Sequence, residues 1–270
     1  MTAATFLASA ALLPVAAGAQ TQDSWQLSDS WRFGATLYGY LPTVGLKTSL
    51  PNGETANVSV DINTILDHLK MGFFGAAEAQ KGRWGAFTDV LYMDVGAAPS
   101  KTRSFQLGNG PLPADVTAST NIDMKATIWS LAGSYRFVAD PNSTFDVLAG
   151  ARLLDVKINQ GYQLTGNVGP IPLPGRSGNG GISVSDWDAI IGVKGRYAVS
   201  ADRAWYVPYY VDVGTGESKL TWQIMGGVGH AFSWGDVVAT WRYLASKNDP
   251  GKPLQELNMN GPQISFVFHW

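Results

Sequence analysis

Apolar and polar positions alternate along most of this chain. From Trp31 to Tyr40 the odd positions Trp31, Phe33, Ala35, Leu37 and Gly39 are apolar or small, with Arg32, Gly34, Thr36, Tyr38 and Tyr40 between them. Side chains on a strand point to opposite faces in turn, so this stretch predicts a strand with one apolar face. Met71, Phe73, Gly75, Ala77 and Ala79 repeat the pattern against Glu78 and Gln80; Lys81-Gly82-Arg83 turns the chain, and Trp84 to Val95 returns it. Asp89 and Asp94 lie on opposite parities there, which puts Asp94 at the rim. Further strands are predicted from about Asn121 to Phe137 and from about Thr144 to Leu153. In another, Trp187, Ala189, Ile191, Val193 and Tyr197 oppose Asp186, Asp188, Lys194 and Arg196. Strands led by Trp205, Leu220 and Val237 follow. In the last, Gly261 to Trp270, Ile264, Phe266, Phe268 and Trp270 alternate with Gln263, Ser265, Val267 and His269.

The connections sort by parity. After the even-numbered strands they are short: Lys81 to Arg83, Ala139 to Ser143, Val199 to Arg203 and Ser233 to Asp236. After the odd-numbered strands they are long, the tight Gly214-Thr215-Gly216-Glu217 turn excepted. The first long connection, 42–69, carries Pro42, Pro51-Asn52-Gly53 and a helix-like stretch from Asp61 to Leu69. The second holds Gly108, Gly110, Pro111 and Pro113, and the third holds GPIPLPGRSGNGG, whose Pro and Gly density reads as irregular. About ten strands with sorted connections predict an all-β fold: a single transmembrane antiparallel β-barrel with short periplasmic turns and longer extracellular loops. A soluble sandwich has no reason to sort its loops. Trp31, Trp84, Phe137, Phe145, Tyr197, Trp205, Phe232 and Trp270 fall near the short-turn ends, where they are expected to form one interfacial girdle.

Composition sharpens this reading. Charged residues make up 15% of the chain, against about 25% in an ordinary soluble protein. There is no cysteine, which removes disulfides and thiolate chemistry. A net charge of −2 supplies no basic surface for nucleic acid. Residues 1–19 form an apolar run ending in Ala17-Gly18-Ala19, read as a signal peptide although no Lys or Arg precedes the run. Residues 20–270 are read as the barrel domain.

The closing GPQISFVFHW resembles the terminal strand of Gram-negative outer-membrane β-barrels, with an aromatic last residue on the lipid-facing parity. That resemblance implies a place in the bacterial outer membrane, contact with its lipids, and reading of Gly261 to Trp270 by the barrel-assembly machinery. KGRWGAFTDVLYMDVG, YVDVGTGESKLTWQ and HAFSWGDVVATWRYL are similar to a group of roughly 250-residue proteobacterial outer-membrane proteins of unassigned role. That likeness carries no catalytic residues.

Placing the polar parity inside collects Arg32, Glu78, Asp89, Arg136, Arg152, Asp186, Asp188, Lys194, Arg196, Asp212 and Arg242 as lumen-lining candidates, with Tyr38, Tyr40, Asp146, Tyr210 and Lys219. Both signs occur in similar numbers. Barrels of about eight strands are filled by their own side chains, whereas sixteen to eighteen strands leave a channel. The charges are therefore expected to pair across neighbouring strands, and Asp186 and Asp188 to pair with Lys194 and Arg196 on the same face of their own strand; a narrow charge-lined conduit is the sharper alternative.

Chemistry is thin elsewhere. Of three histidines, only His68 has an adjacent carboxylate, Asp67, and adjacency is a weak signal. No phosphate loop, metal or cofactor set emerges, and no enzyme is expected. The leading expectation is a small porin-like channel or a structural barrel, with small solutes as the channel's partners. The second is an adhesin-type barrel acting through its extracellular loops, and the third an outer-rim hydrolase.

Overall fold

The computed structural model describes residues 27–49, 55–107, 114–168, 171–172 and 176–270; the leader read over residues 1–19 lies outside them. The described elements run β1 (Arg32–Tyr40), β2 (Thr43–Ser49), β3 (Thr55–Val60), α1 (Ile62–His68), β4 (Leu69–Lys81), β5 (Trp84–Leu107), β6 (Ala114–Asp140), β7 (Ser143–Val168), β8 (Ile171–Pro172), β9 (Arg176–Ala198), β10 (Trp205–Gly216), β11 (Leu220–Phe232), β12 (Gly235–Lys247) and β13 (Leu254–His269). Ten of these strands form an antiparallel barrel in the order β1-β4-β5-β6-β7-β9-β10-β11-β12-β13. It closes where β13 returns to β1, from Gly34 opposite His269 to Tyr40 opposite Gln263.

Alternation maps onto the two sides of this wall. On β6, Trp129, Leu131, Tyr135 and Phe137 point outward while Ile128, Ala132 and Arg136 are buried inside. Leu131 is 51% exposed and Ile191 64%, and with Phe73, Trp187, Val211, Ile224 and Trp241 they belong to an apolar exterior of the kind that suits lipid. From Phe137 to Trp129 the outward face stays apolar or small over roughly 26 Å of strand, at about 3.3 Å per residue. Beyond it stand Lys125, paired with Asp94 at 3.0 Å, and Asp123, paired with Lys70 at 3.3 Å. Asp94 is therefore at a rim, facing outward.

An aromatic girdle rings the short-turn end. Trp31, Phe33 and Trp270 stack in series, Trp84 meets Tyr135, which in turn meets Phe137, and Trp205, His230, Phe232, Trp234 and Phe268 continue the ring. One addition applies to the expected set: Trp234, in the β11–β12 turn, belongs to the ring. The turns themselves are tight: Gly82 takes φ +55, open to glycine at no steric cost. Asp202 accepts from the Ser200 hydroxyl at 2.5 Å and the Ala204 amide at 3.1 Å, contacts that hold its carboxyl below the usual range.

The first long connection is built rather than loose. Pro42 has no amide to donate, so the ladder breaks there, and the chain resumes as β2 on the upper half of β13. The break brings the Leu41 carbonyl so close to Gly261 that a Cβ there would stand 2.2 Å from it. β3 then pairs with β2, and α1 follows, capped by Asp61, whose carboxylate accepts from the Thr64 amide at 2.9 Å and is held below its usual pKa by that contact. The helix read from the sequence is present.

Where the second and third long loops were expected, strands continue. β5 pairs with β6 as far as Leu107 opposite Ala114, and β7 pairs with β9 as far as Leu164 opposite Arg176. The stretch from Ser177 to Gly181, read as irregular, is paired strand. β4 leaves β5 at Val95, and β10 leaves β9 at Asp188. Four strands, β5-β6-β7-β9, thus project as a sheet about 40 Å past the barrel, at about 3.3 Å per residue.

A charge at the middle of the outward band should be costly and one at its rim should not. Leu131→Arg is expected to lower stability in lipid vesicles by about 2–4 kcal/mol, and Thr127→Arg by about 0–1 kcal/mol. Denaturant unfolding of vesicle-inserted protein measures both; equal costs would mean that the band is not lipid-facing.

Candidate functional site

The inside of the barrel is divided. At the long-loop end it is apolar: Val44, Leu46, Val60 and Ile65 from the β2–β3–α1 connection pack against Leu91, Met93, Met124, Ile128, Leu154, Val156, Leu254 and Leu257 on the wall. This plug joins the connection to the wall in one buried cluster. Tyr38, Tyr40 and Phe74 form its floor, with Tyr38 and Phe74 stacked at 5.8 Å.

Below the plug lie the charges. Arg152 on β7 holds Asp212 on β10 with two guanidinium nitrogens, and also donates to Ser130 at 3.1 Å and Thr221 at 3.3 Å. Both partners are sealed, at 1% and 0% side-chain exposure. Burying two ions costs several kcal/mol each, and only such full pairing offsets it. Arg242 on β12 reaches across the lumen to Asp89 on β5, and also donates to Tyr38 at 3.1 Å and Gln223 at 3.0 Å. It lies over the Tyr38 and Tyr40 rings. Lys194 on β9 crosses to Glu78 on β4. Arg136 and Asp146, opposite each other on β6 and β7, make a two-pronged pair at 2.8 and 2.9 Å.

Two of these four pairs therefore cross the lumen and Arg152–Asp212 skips β9; only Arg136–Asp146 joins neighbouring strands as expected. Asp186 and Asp188 do not meet Lys194 and Arg196. Six residues of strand separate Asp188 from Lys194, about 20 Å at 3.3 Å per residue. Asp188 instead accepts from the Ser218 amide and hydroxyl, and Asp186 from Asn248 at 3.0 Å and Lys252 at 3.4 Å, so both fasten the long-loop rim. Lys219 is not in the lumen; it sits exposed on the β10–β11 turn near Asp249.

Toward the short-turn end the lumen widens into a cavity of about 310 Å³. Arg32, Glu78, Asp89, Arg136, Lys194, Arg196 and Arg242 line it; Arg152, Asp186, Asp188 and Asp212 do not. Near its mouth Asp236 accepts from Tyr206 at 2.7 Å and gathers Arg196 at 3.7 Å and His269 at 3.4 Å. Sequence reading assigned Asp236 to a turn and gave His269 no role, yet each shares the inward parity of its strand, and that parity was the available signal. Gln80, Thr240, Arg242 and Gln263, all lining residues, each carry a buried polar atom without a hydrogen-bond partner among the described residues.

The histidines are placed as follows. His68 spends Nδ1 on the Thr64 carbonyl at 3.0 Å inside α1, and His230 faces outward against Trp205 and Phe232. Among the described residues, no group of three or more His, Asp or Glu is placed to hold a metal ion, and no helix is long and apolar enough to cross a membrane.

No protein-family model and no curated protein matches the chain, so the narrower likeness to the 250-residue proteobacterial group gains no support from a family. Solved structures are similar at low identity. The attachment invasion locus protein of Yersinia pestis is 11% identical with a TM-score of 0.30, over 88% of this chain and 98% of that one. The translocator domain of the autotransporter NalP from Neisseria meningitidis is 12% identical with a TM-score of 0.34, over 88% of each. The toluene transporter TodX of P. putida is 11% identical with a TM-score of 0.27, over 89% of each. At these values no activity passes from them to this chain. An even, closed, antiparallel strand set with an apolar exterior and an aromatic girdle is by itself the build of an outer-membrane β-barrel.

Arg152→Ala leaves Asp212 buried and unpaired, and is expected to cost about 3–5 kcal/mol. The double change Arg152→Met with Asp212→Leu should recover most of that loss. Denaturant midpoints in vesicles measure it; a single variant as stable as the parent would show that the pair is not buried.

Proposed function

We propose that this chain is a non-enzymatic barrel of the bacterial outer membrane, closed to solute flow, which acts through the sheet it holds above the bilayer. One observation carries the reading: the apolar plug fills the lumen at the long-loop end, and buried ion pairs, Arg242–Asp89 across the lumen and Arg152–Asp212 along its wall, shut the level beneath it. A conduit needs a continuous polar path, and a water-excluding cluster of Val, Leu, Ile and Met gives it none. The cavity below is a recess open at one end. With short turns toward the periplasm, that recess faces inward and the projecting sheet faces the cell's surroundings.

The porin-like alternative is correspondingly weakened, and the binding-barrel alternative is favoured by the sheet. It gives the protein a large ordered backbone surface outside the membrane, where loops alone had been expected. Outer-membrane lipids are then the partners of the apolar band, and β13 remains the strand offered to the assembly machinery.

Planar-bilayer recording of the refolded protein, with folding confirmed by a heat-shifted gel band, tests this. The expected outcome is a silent bilayer. Discrete steps whose ion selectivity shifts in Arg196→Glu would overturn it and restore the charge-lined pore.

A further inference from the structure

The projecting sheet has two edges, and they differ. α1 and β3 lie against β5. On β9 the ladder to β10 stops at Asp188 opposite Gly216, whereas the ladder to β7 continues to Arg176 in unbroken register. The lower end of this edge is covered, because Asn248 and Lys252 reach Asp186. From Ser177 to Ser185, among the described residues, no strand pairs with the side of β9 that faces away from β7.

Proteins blunt such edges with lysine, proline, inward charges or bulges, because a row of unpaired amides and carbonyls templates another strand. The stretch SGNGGISVS has no charge and no proline, and its pairing with β7 shows no bulge. Glycine inside a strand often marks a place where another backbone comes close. Gly180 has nothing within 4 Å of the point where a Cβ would stand.

We infer that the free edge of β9 from Ser177 to Ser185 binds an extended peptide as an added strand. The inference rests on the reading that the protein acts through its projecting sheet. An extended backbone is the occupant because it alone matches alternating amides and carbonyls along a strand, at about 4.8 Å across the ladder. The edge also states a side-chain preference. Ile182 and Val184 join the apolar interior, so one parity of the peptide should be apolar; Ser177, Asn179, Ser183 and Ser185 are exposed, so the other should carry hydroxyls or amides. A second copy in the same membrane presents its β9 in the same direction, which rules out an antiparallel β9–β9 ladder.

The test uses the full chain, refolded in lipid nanodiscs, and a synthetic peptide with the sequence of residues 153–164, LLDVKINQGYQL. This is the stretch that already pairs with β9 in the right alternation. Hydrogen exchange across 177–185 is expected to slow about tenfold with saturating peptide, and not with the same peptide N-methylated at alternate residues. Gly180→Pro and Gly181→Pro remove amides on opposite sides of the strand. The variant that keeps its heat-shifted band and its β7 pairing should lose the protection. No slowing at millimolar peptide, equal slowing by the N-methylated control, or protection that survives that proline would each overturn the inference. If the bilayer is silent and the peptide fails, the closed barrel stands and this site falls.

Discussion

Closure between β1 and β13 is the contact on which the rest depends. In hydrocarbon no water meets an orphaned amide or carbonyl, so a strand set can stand there only if its first and last strands pair. Here they do so from Gly34 to Tyr40, and Phe33 and Trp270 exchange backbone hydrogen bonds at 2.9 and 3.1 Å below that ladder. Closing at ten strands also fixes how far apart opposite walls stand. At that width long inward side chains meet across the middle, which is why Arg242 finds Asp89 and Lys194 finds Glu78 from opposite sides. A lumen narrow enough for side chains to cross follows from strand number.

Filling with charge carries a cost that filling with hydrocarbon does not. A buried ion pair adds stability only when its hydrogen-bonding capacity is used up, and otherwise roughly breaks even. Arg152 comes nearest to that condition, with all three guanidinium nitrogens engaged by a two-pronged carboxylate and two hydroxyls. Arg242 meets it in part, since its Nε has no partner among the described residues while its other nitrogens and its aromatic neighbours are engaged. Arg152–Asp212, Lys194–Glu78 and Arg242–Asp89 each join strands that are not neighbours in the sheet, where no backbone ladder ties one to the other.

The barrel wall was legible because a membrane strand divides two media. Leu131 and Ala132 must differ when one faces lipid and the other the lumen, and that difference is the alternation. Above the rim the requirement lapses. Ser177 to Gly181 has no lipid beside it, period two fades, and strands that pair in perfect register read as Gly-rich loop. Pairing across the lumen was hidden for another reason. Parity tells which side of the wall a residue faces, and nothing in one strand's sequence names the strand opposite. Arg136 and Asp146 come nearest to being readable, because a tight turn sets them face to face.

The same wall explains why the plug stays in place. A loop resting in a barrel mouth is held by contacts that can be given up one at a time. The connection here is held differently: β2 takes the upper half of β13 as its ladder partner, and β3 takes β2, so the segment carrying Val44, Leu46, Val60 and Ile65 continues the sheet that closes the barrel. Withdrawing it would expose apolar side chains and also strip the row from Leu254 to Asn260 of the β2 ladder on one side, leaving it paired with β12 alone. Two costs of different kind must then be met together, and neither can be met piecemeal. That coupling makes the seal part of the fold.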